Sequence, residues 1–283
     1  MQVVTKDALR TGDIFLYHSE SFLGGMIRLF DGSEYNHAGI FDGENVIESL
    51  GGGITTNTIS ESTCKNKFVD VFRFRNDAGK QLGDAGIPTQ NVTDTIRRYV
   101  NDGDRYAFEQ ILLLAALATT RRFPFGGWVP GLSKFVRQIT DAAASVLSKL
   151  MSMNKEPLIC SELVYRCYVE SGEEFFINIV GADILAQRSI GHTSTTLTHQ
   201  FDISSQKEMS STVMQDFEEA QLASYEFLET WQRVSRTAPL ARSVPDVQQN
   251  EVGVVQSRAI ADFVTPRDLK QSPNTYIVGR LAL

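Results

Sequence analysis

The stretch YNHAGIFDGENVIES, residues 35–49, constrains the chain most. It reads as two β-prone runs joined at Asp42-Gly43, a dipeptide that favours a tight hairpin. With Gly43 and Glu44 at the turn, Asp42 pairs with Asn45, Phe41 with Val46 and Gly39 with Glu48. Cross-strand partners point to the same face and alternate residues share it, so Tyr35, His37, Gly39, Val46 and Glu48 lie on one side. His37 and Glu48 are then diagonal neighbours. A carboxylate beside an imidazole fixes its orientation and favours the imidazolium, the arrangement a thiol-activating base requires. The same register also describes an exposed sheet face that happens to carry two polar residues.

A thiol worth activating occurs in EPLICSELVYRCYVESG, residues 156–172. Ile159, Leu163, Val164, Cys167 and Tyr168 recur at helical spacing, with Pro157 able to open the helix and Gly172 to close it. Cys160 falls in the first turn, where unpaired backbone N–H groups and the helix dipole favour a thiolate. A free cysteine more often packs as a small hydrophobe, and the base elsewhere in the chain is what alters that balance.

The remaining elements read as a sheet followed by helices. GDIFLY (12–17) is a first strand with His18 at its end, and SFLGGMIRLF (21–30) a short helix. Residues 54–62 form a loop or edge strand, KFVDVFRFR (67–75) alternates as a strand, and Asn91 offers a cap for TDTIRRYV. YAFEQILLLAALATT (106–120) is apolar almost all round, as a buried helix is, with Tyr106 at its entrance. After RRFPFGGWVPGL, residues 132–151 place Leu132, Phe135, Val136, Ile139, Ala143, Val146, Leu147 and Leu150 on one face. That face suits core or lid, while Lys134, Arg137 and Lys149 beside aromatics also suit a membrane surface. A further amphipathic helix spans 206–235, a connector 237–257, and Tyr276–Leu281 a closing strand.

Composition narrows the function. A formal charge of −7 with scattered arginines argues against a nucleic-acid binder. The three cysteines Cys64, Cys160 and Cys167 show no metal-ligand spacing and read as reduced thiols. His192 and His199 lie in a Thr-rich stretch that reads as a loop, so metal binding is not expected there. No phosphate-binding loop, dinucleotide fingerprint or GxSxG elbow occurs. The N-terminus lacks the apolar core of a signal peptide and no stretch is long enough to span a bilayer. The expectation is synthesis in the cytoplasm, with export by a signal-less route left open.

The order of five pieces, the GDI strand, NHAGIFDGENVIES, YAFEQ, ICSELVYRCYVESG and VTPRDLKQSPNTYIVG, resembles the circularly permuted branch of the NlpC-type papain-like cysteine hydrolases, the YiiX-like group. Lecithin:retinol acyltransferase belongs to the same wider assembly. In that branch the histidine strand precedes the cysteine helix. The resemblance covers about residues 10–75, 104–118, 157–185 and 263–280. It implies an α+β, permuted papain-like fold, with a small antiparallel sheet or half-barrel packed on the helix that bears the nucleophile. It further implies Cys160 as nucleophile, His37 as general base, Glu48 as the group orienting it, and Tyr106 near the oxyanion site. Phe108 and Glu109 depart from the family pattern around that tyrosine. No metal or organic cofactor is implied.

The expected organisation is one domain over 1–283, with helical insertions at 121–155 (lid or substrate-site element) and 189–257. The expected activity is cleavage of amide bonds through a thioester, as in an amidase or peptidase acting on cell-wall peptides. Alternatives are a phospholipid acyl hydrolase or acyltransferase, or a non-catalytic binding module of the same fold. Partners on these readings are a peptide or lipid acyl substrate, a membrane surface met through 121–151, and an inhibitor or immunity protein. Peptide and acyl chain demand opposite surroundings for Cys160, polar and open in one case and apolar in the other.

Overall fold

The computed structural model describes residues 1–102, 105–106, 109–120, 132–153, 155–180, 211–237 and 264–283, and elements are numbered over these. The hairpin forms in the expected register: in β3 (His37–Phe41) and β4 (Val46–Leu50), Phe41 faces Val46 and Gly39 faces Glu48. The Asp42 amide donates to the Asn45 carbonyl at 2.9 Å, and Asp42 Oδ1 accepts from the amides of Glu44 and Asn45. Gly43 takes φ +112°, a region that a side chain would disfavour.

Around this hairpin stand β1 (Val3–Val4), β2 (Ile14–Ser19), β5 (Gly53–Asn57), β6 (Asn66–Phe74) and β9 (Thr275–Leu281). They form one open seven-stranded sheet in the order β1-β9-β6-β2-β3-β4-β5, antiparallel throughout except for the parallel β1–β9 pair. The sheet is thus larger than the small one expected. A separate parallel pair joins β7 (Arg105–Tyr106) to β8 (Glu156–Pro157). The helices are α1 (Phe22–Asp31), α2 (Ile59–Thr63), α3 (Thr89–Asp102), α4 (Glu109–Thr120), α5 (Leu132–Ser152), α6 (Cys160–Val169), α7 (Ser211–Thr237) and α8 (Pro266–Gln271). The architecture is mixed α+β.

Three apolar clusters organise it. On one sheet face Ile14, Leu16, Ala38, Ile40, Ile47 and Phe72 pack with α6 through Leu163, Val164, Cys167 and Tyr168. On the other, Phe15, Tyr17, Phe41, Val46, Val69 and Val71 form a smaller core bordered by Ile59 of α2. β2 and β3 are buried on both faces, which is why their sequences run apolar instead of alternating. The third cluster is helical: α4 buries every residue from Leu112 to Ala118, and α1, α5 and α7 pack around it. Val136, Ile139, Ala143, Leu147 and Leu150 of α5 are buried, and the two helices α5 and α7 pack against each other.

Several local expectations are corrected. Tyr35 does not share the side of His37. β3 begins only at His37, and Tyr35 instead donates to Asp70 Oδ2 at 2.8 Å and meets Phe72 edge-on in the cluster beneath α6. Asn91 lies inside α3, which begins at Thr89. Pro157 belongs to β8, so α6 opens at Cys160 with Ile159 as its N-cap. Residues 121–131, 181–210 and 238–263 lie outside the described residues, among them His192, His199 and the connector. Among the described residues no helix is long and apolar enough to cross a membrane.

Candidate active site

His37 opens β3 and Glu48 lies near the end of its hairpin partner. The register that makes them diagonal neighbours brings His37 Nε2 to 3.0 Å from Glu48 Oε1. Both are buried, at 8% and 2% exposure. The other carboxylate oxygen, Oε2, accepts from Asn57 Nδ2 at 2.8 Å across the β4–β5 pairing. Burial pushes the Glu48 carboxyl up, but the hydrogen bond and charge of His37, joined by Asn57 and Ser62, hold it below its ordinary value. An ionised Glu48 makes Nε2 the protonated nitrogen of a neutral ring, so the basic lone pair belongs to Nδ1.

Tyr17 completes this face. It is the register partner of His37 in β2 and fully buried, its ring 4.9 Å from the imidazole between centroids. Its hydroxyl lies 2.6 Å from Ser62 Oγ of α2. Gly39 makes the room: a Cβ there would come within 3.0 Å of both Glu48 Cγ and Tyr17 Oη. Burial first, and then the negative charge of Glu48, push the Tyr17 hydroxyl pKa well up, with a smaller contribution from Cys160. The hydroxyl stays protonated, within electrostatic reach of carboxylate and sulfur alike.

Cys160 is the first residue of α6 and 1% exposed. The start of the helix is fixed on three sides. Ser49, next to Glu48, donates to the Leu158 carbonyl at 2.9 Å; Ser161 donates to the Val264 carbonyl at 2.7 Å; and Glu162 accepts from the Ile159 amide while Arg166 balances its charge. The Ser49 bond sets the entry to α6 beside the end of β4, which the antiparallel register lays along the start of β3, where His37 stands. The body of α6 packs on the opposite sheet face, so His37 and the Leu163–Val164 stripe point to different sides. Ile159 and Cys160 belong instead to the helical cluster that also holds Ile139, Leu147, Leu150 and Trp231.

Of the four residues singled out from sequence, His37 and Glu48 are in direct contact and Cys160 begins the helix packed on their hairpin. Tyr106 sits in β7, paired with Pro157 on the strand that leads into α6. Sequence reading passed over Tyr17, Asn57 and Ser62. Extending the hairpin logic through the glycine turn at 51–53 would have found Asn57, which pairs with Val46 on the Glu48 face. Among the described residues no group of three or more His, Cys, Asp and Glu side chains converges to hold a metal ion.

No family model matches the sequence, and no curated protein matches it. Among solved structures the chain is similar to the metalloprotein YiiX from Escherichia coli O157:H7, at 14% identity and a TM-score of 0.41, over 95% of this chain and 96% of that one. That likeness is one of overall chain course and assigns no residue a role here.

Proposed function

We propose that the chain is a thiol acyl hydrolase or acyltransferase of permuted papain-like arrangement, with Cys160 as nucleophile, His37 as base and Glu48 as its orienting anion. The observation that carries the reading is the buried 3.0 Å His37–Glu48 pair on the hairpin against which α6 begins at Cys160. In the first step His37 Nδ1 takes the Cys160 proton and the sulfur bonds to the acyl carbon, whose carbonyl electrons move to oxygen. Collapse of the tetrahedral species expels the alcohol or amine, which leaves with the imidazolium proton. Water, or a second alcohol, attacks the thioester with His37 again as base and restores the thiol. Backbone N–H groups at the start of α6 suit the transient oxyanion.

The surroundings of Cys160 support an apolar acyl group over a peptide. Cys160 belongs to a helical cluster of Leu, Ile, Ala, Phe and Trp side chains, to which α5 contributes. The test is to incubate the protein with phospholipid vesicles and, separately, with murein peptides, and to look by mass spectrometry for an acyl adduct on Cys160. The expected result is fatty-acid release and a Cys160 adduct, both abolished in Cys160→Ala and His37→Ala. Peptide cleavage dependent on Cys160, without fatty-acid release, would move the activity to the amidase class. Absence of adduct and product from either substrate would leave a binding module.

A further inference from the structure

The carboxylate that orients His37 also has near it three groups to which the proposed chemistry gives no role, Asn57, Ser62 and Tyr17. Around Glu48 stand His37 from β3, Asn57 from β5, Ser62 from α2 and Tyr17 from β2. Each comes from a different element, so the anion sits at a junction of the fold. Tyr17 differs from the rest. It touches the histidine through its ring and shares its hydroxyl with Ser62, and a side chain at residue 39 would press on its oxygen at 3.0 Å.

We propose that Tyr17, acting through Ser62 and Glu48, is a positioning residue that sets the charge balance of the His37–Glu48 pair. This rests on the functional reading for its purpose but not for its test. A hydroxyl donating toward a buried carboxylate stabilises the anion, and the anion in turn stabilises protonated His37. Glu48 is held ionised at neutral pH, so removing the hydroxyl takes a competing donor from the carboxylate and leaves it a stronger acceptor for the His37 N–H, which favours the imidazolium. The ring alone would keep its packing against His37 and Phe15.

The experiment is an NMR titration of the four histidine rings, with the His37 signal assigned by its absence in His37→Gln. In Tyr17→Phe the His37 pKa should rise by about half a unit to one unit, the worth of one hydrogen bond. Ser62→Ala should move it the same way and serves if Tyr17→Phe does not fold. Tyr35→Phe, which removes a buried hydroxyl bonded to Asp70 in the other cluster, should leave it unmoved. An unchanged His37 titration in folded Tyr17→Phe or Ser62→Ala would overturn the proposal, as would an equal shift in Tyr35→Phe. The titration needs no substrate: a shift without any Cys160 adduct keeps the positioning role and removes the enzyme, and an adduct without a shift does the reverse.

Discussion

At Gly39 a methyl group in place of a hydrogen would crowd three side chains at once. Its would-be Cβ meets Glu48 Cγ and Tyr17 Oη at 3.0 Å and Val46 Cγ1 at 3.1 Å, all in a packed interior. Gly39→Ala should cost about 1–3 kcal/mol of stability, read from the urea midpoint, and should lower Cys160 acylation by more than the lost folded fraction explains. Glu48 makes a pH prediction with a definite sign. Its folded pKa lies below the ordinary 4.5, so its contribution to stability is complete above that value and is lost as the pH falls through the lowered one. Urea midpoints across that acidic range should therefore fall more steeply for the native protein than for Glu48→Gln. Parallel curves would mean that the carboxylate is no better stabilised in the folded chain than in the unfolded one.

The strands are pinned by charge as well as by ladders. Arg73 of β6 grips Asp13, just before β2, through Nε and Nη2, each at 2.7 Å, with the carboxylate almost fully buried. Arg73→Ala would strand that charge and should cost about 3–5 kcal/mol, measured by denaturation, whereas an exposed pair such as Lys67–Glu20 should cost almost nothing to break. What was legible in the sequence tracks how local each element's determinants are. The hairpin register followed from one turn dipeptide and a period of two, and α6 from five apolar positions between Pro157 and Gly172. Tyr35 was misplaced because alternation was carried past the first residue of β3. Tyr17 and Ser62 were missed because they reach the site through pairing of β2 with β3 and the packing of α2, neither of which has a local signature. The twofold character of α6 was also hidden, since the periodicity that places Leu163 and Val164 on the sheet does not say that Ile159 and Cys160 face the helices.

Taken whole, the molecule keeps its proposed nucleophile under cover. Acyl transfer needs a carbonyl carbon against the sulfur, yet Cys160 is 1% exposed and shares a buried layer with residues of α1, α4, α5 and α7. That layer has to part for substrate to enter. Iodoacetamide should label exposed Cys64 faster than Cys160 in buffer, and the Cys160 rate should rise when short-chain phospholipid micelles are added. A Cys160 rate indifferent to micelles would speak against lipid as what opens the layer. The sheet order carries a separate consequence. β9 is wedged between β1 and β6, so the chain leaves the sheet after Phe74, passes through α3 to α8, and returns at Thr275 to fill the gap left beside its own earlier strand. Two polypeptides made by cutting at a protease site engineered into the exposed turn at 77–80 should thus stay bound and co-elute, the later piece clasped by the earlier one on two flanks like a tongue in a groove.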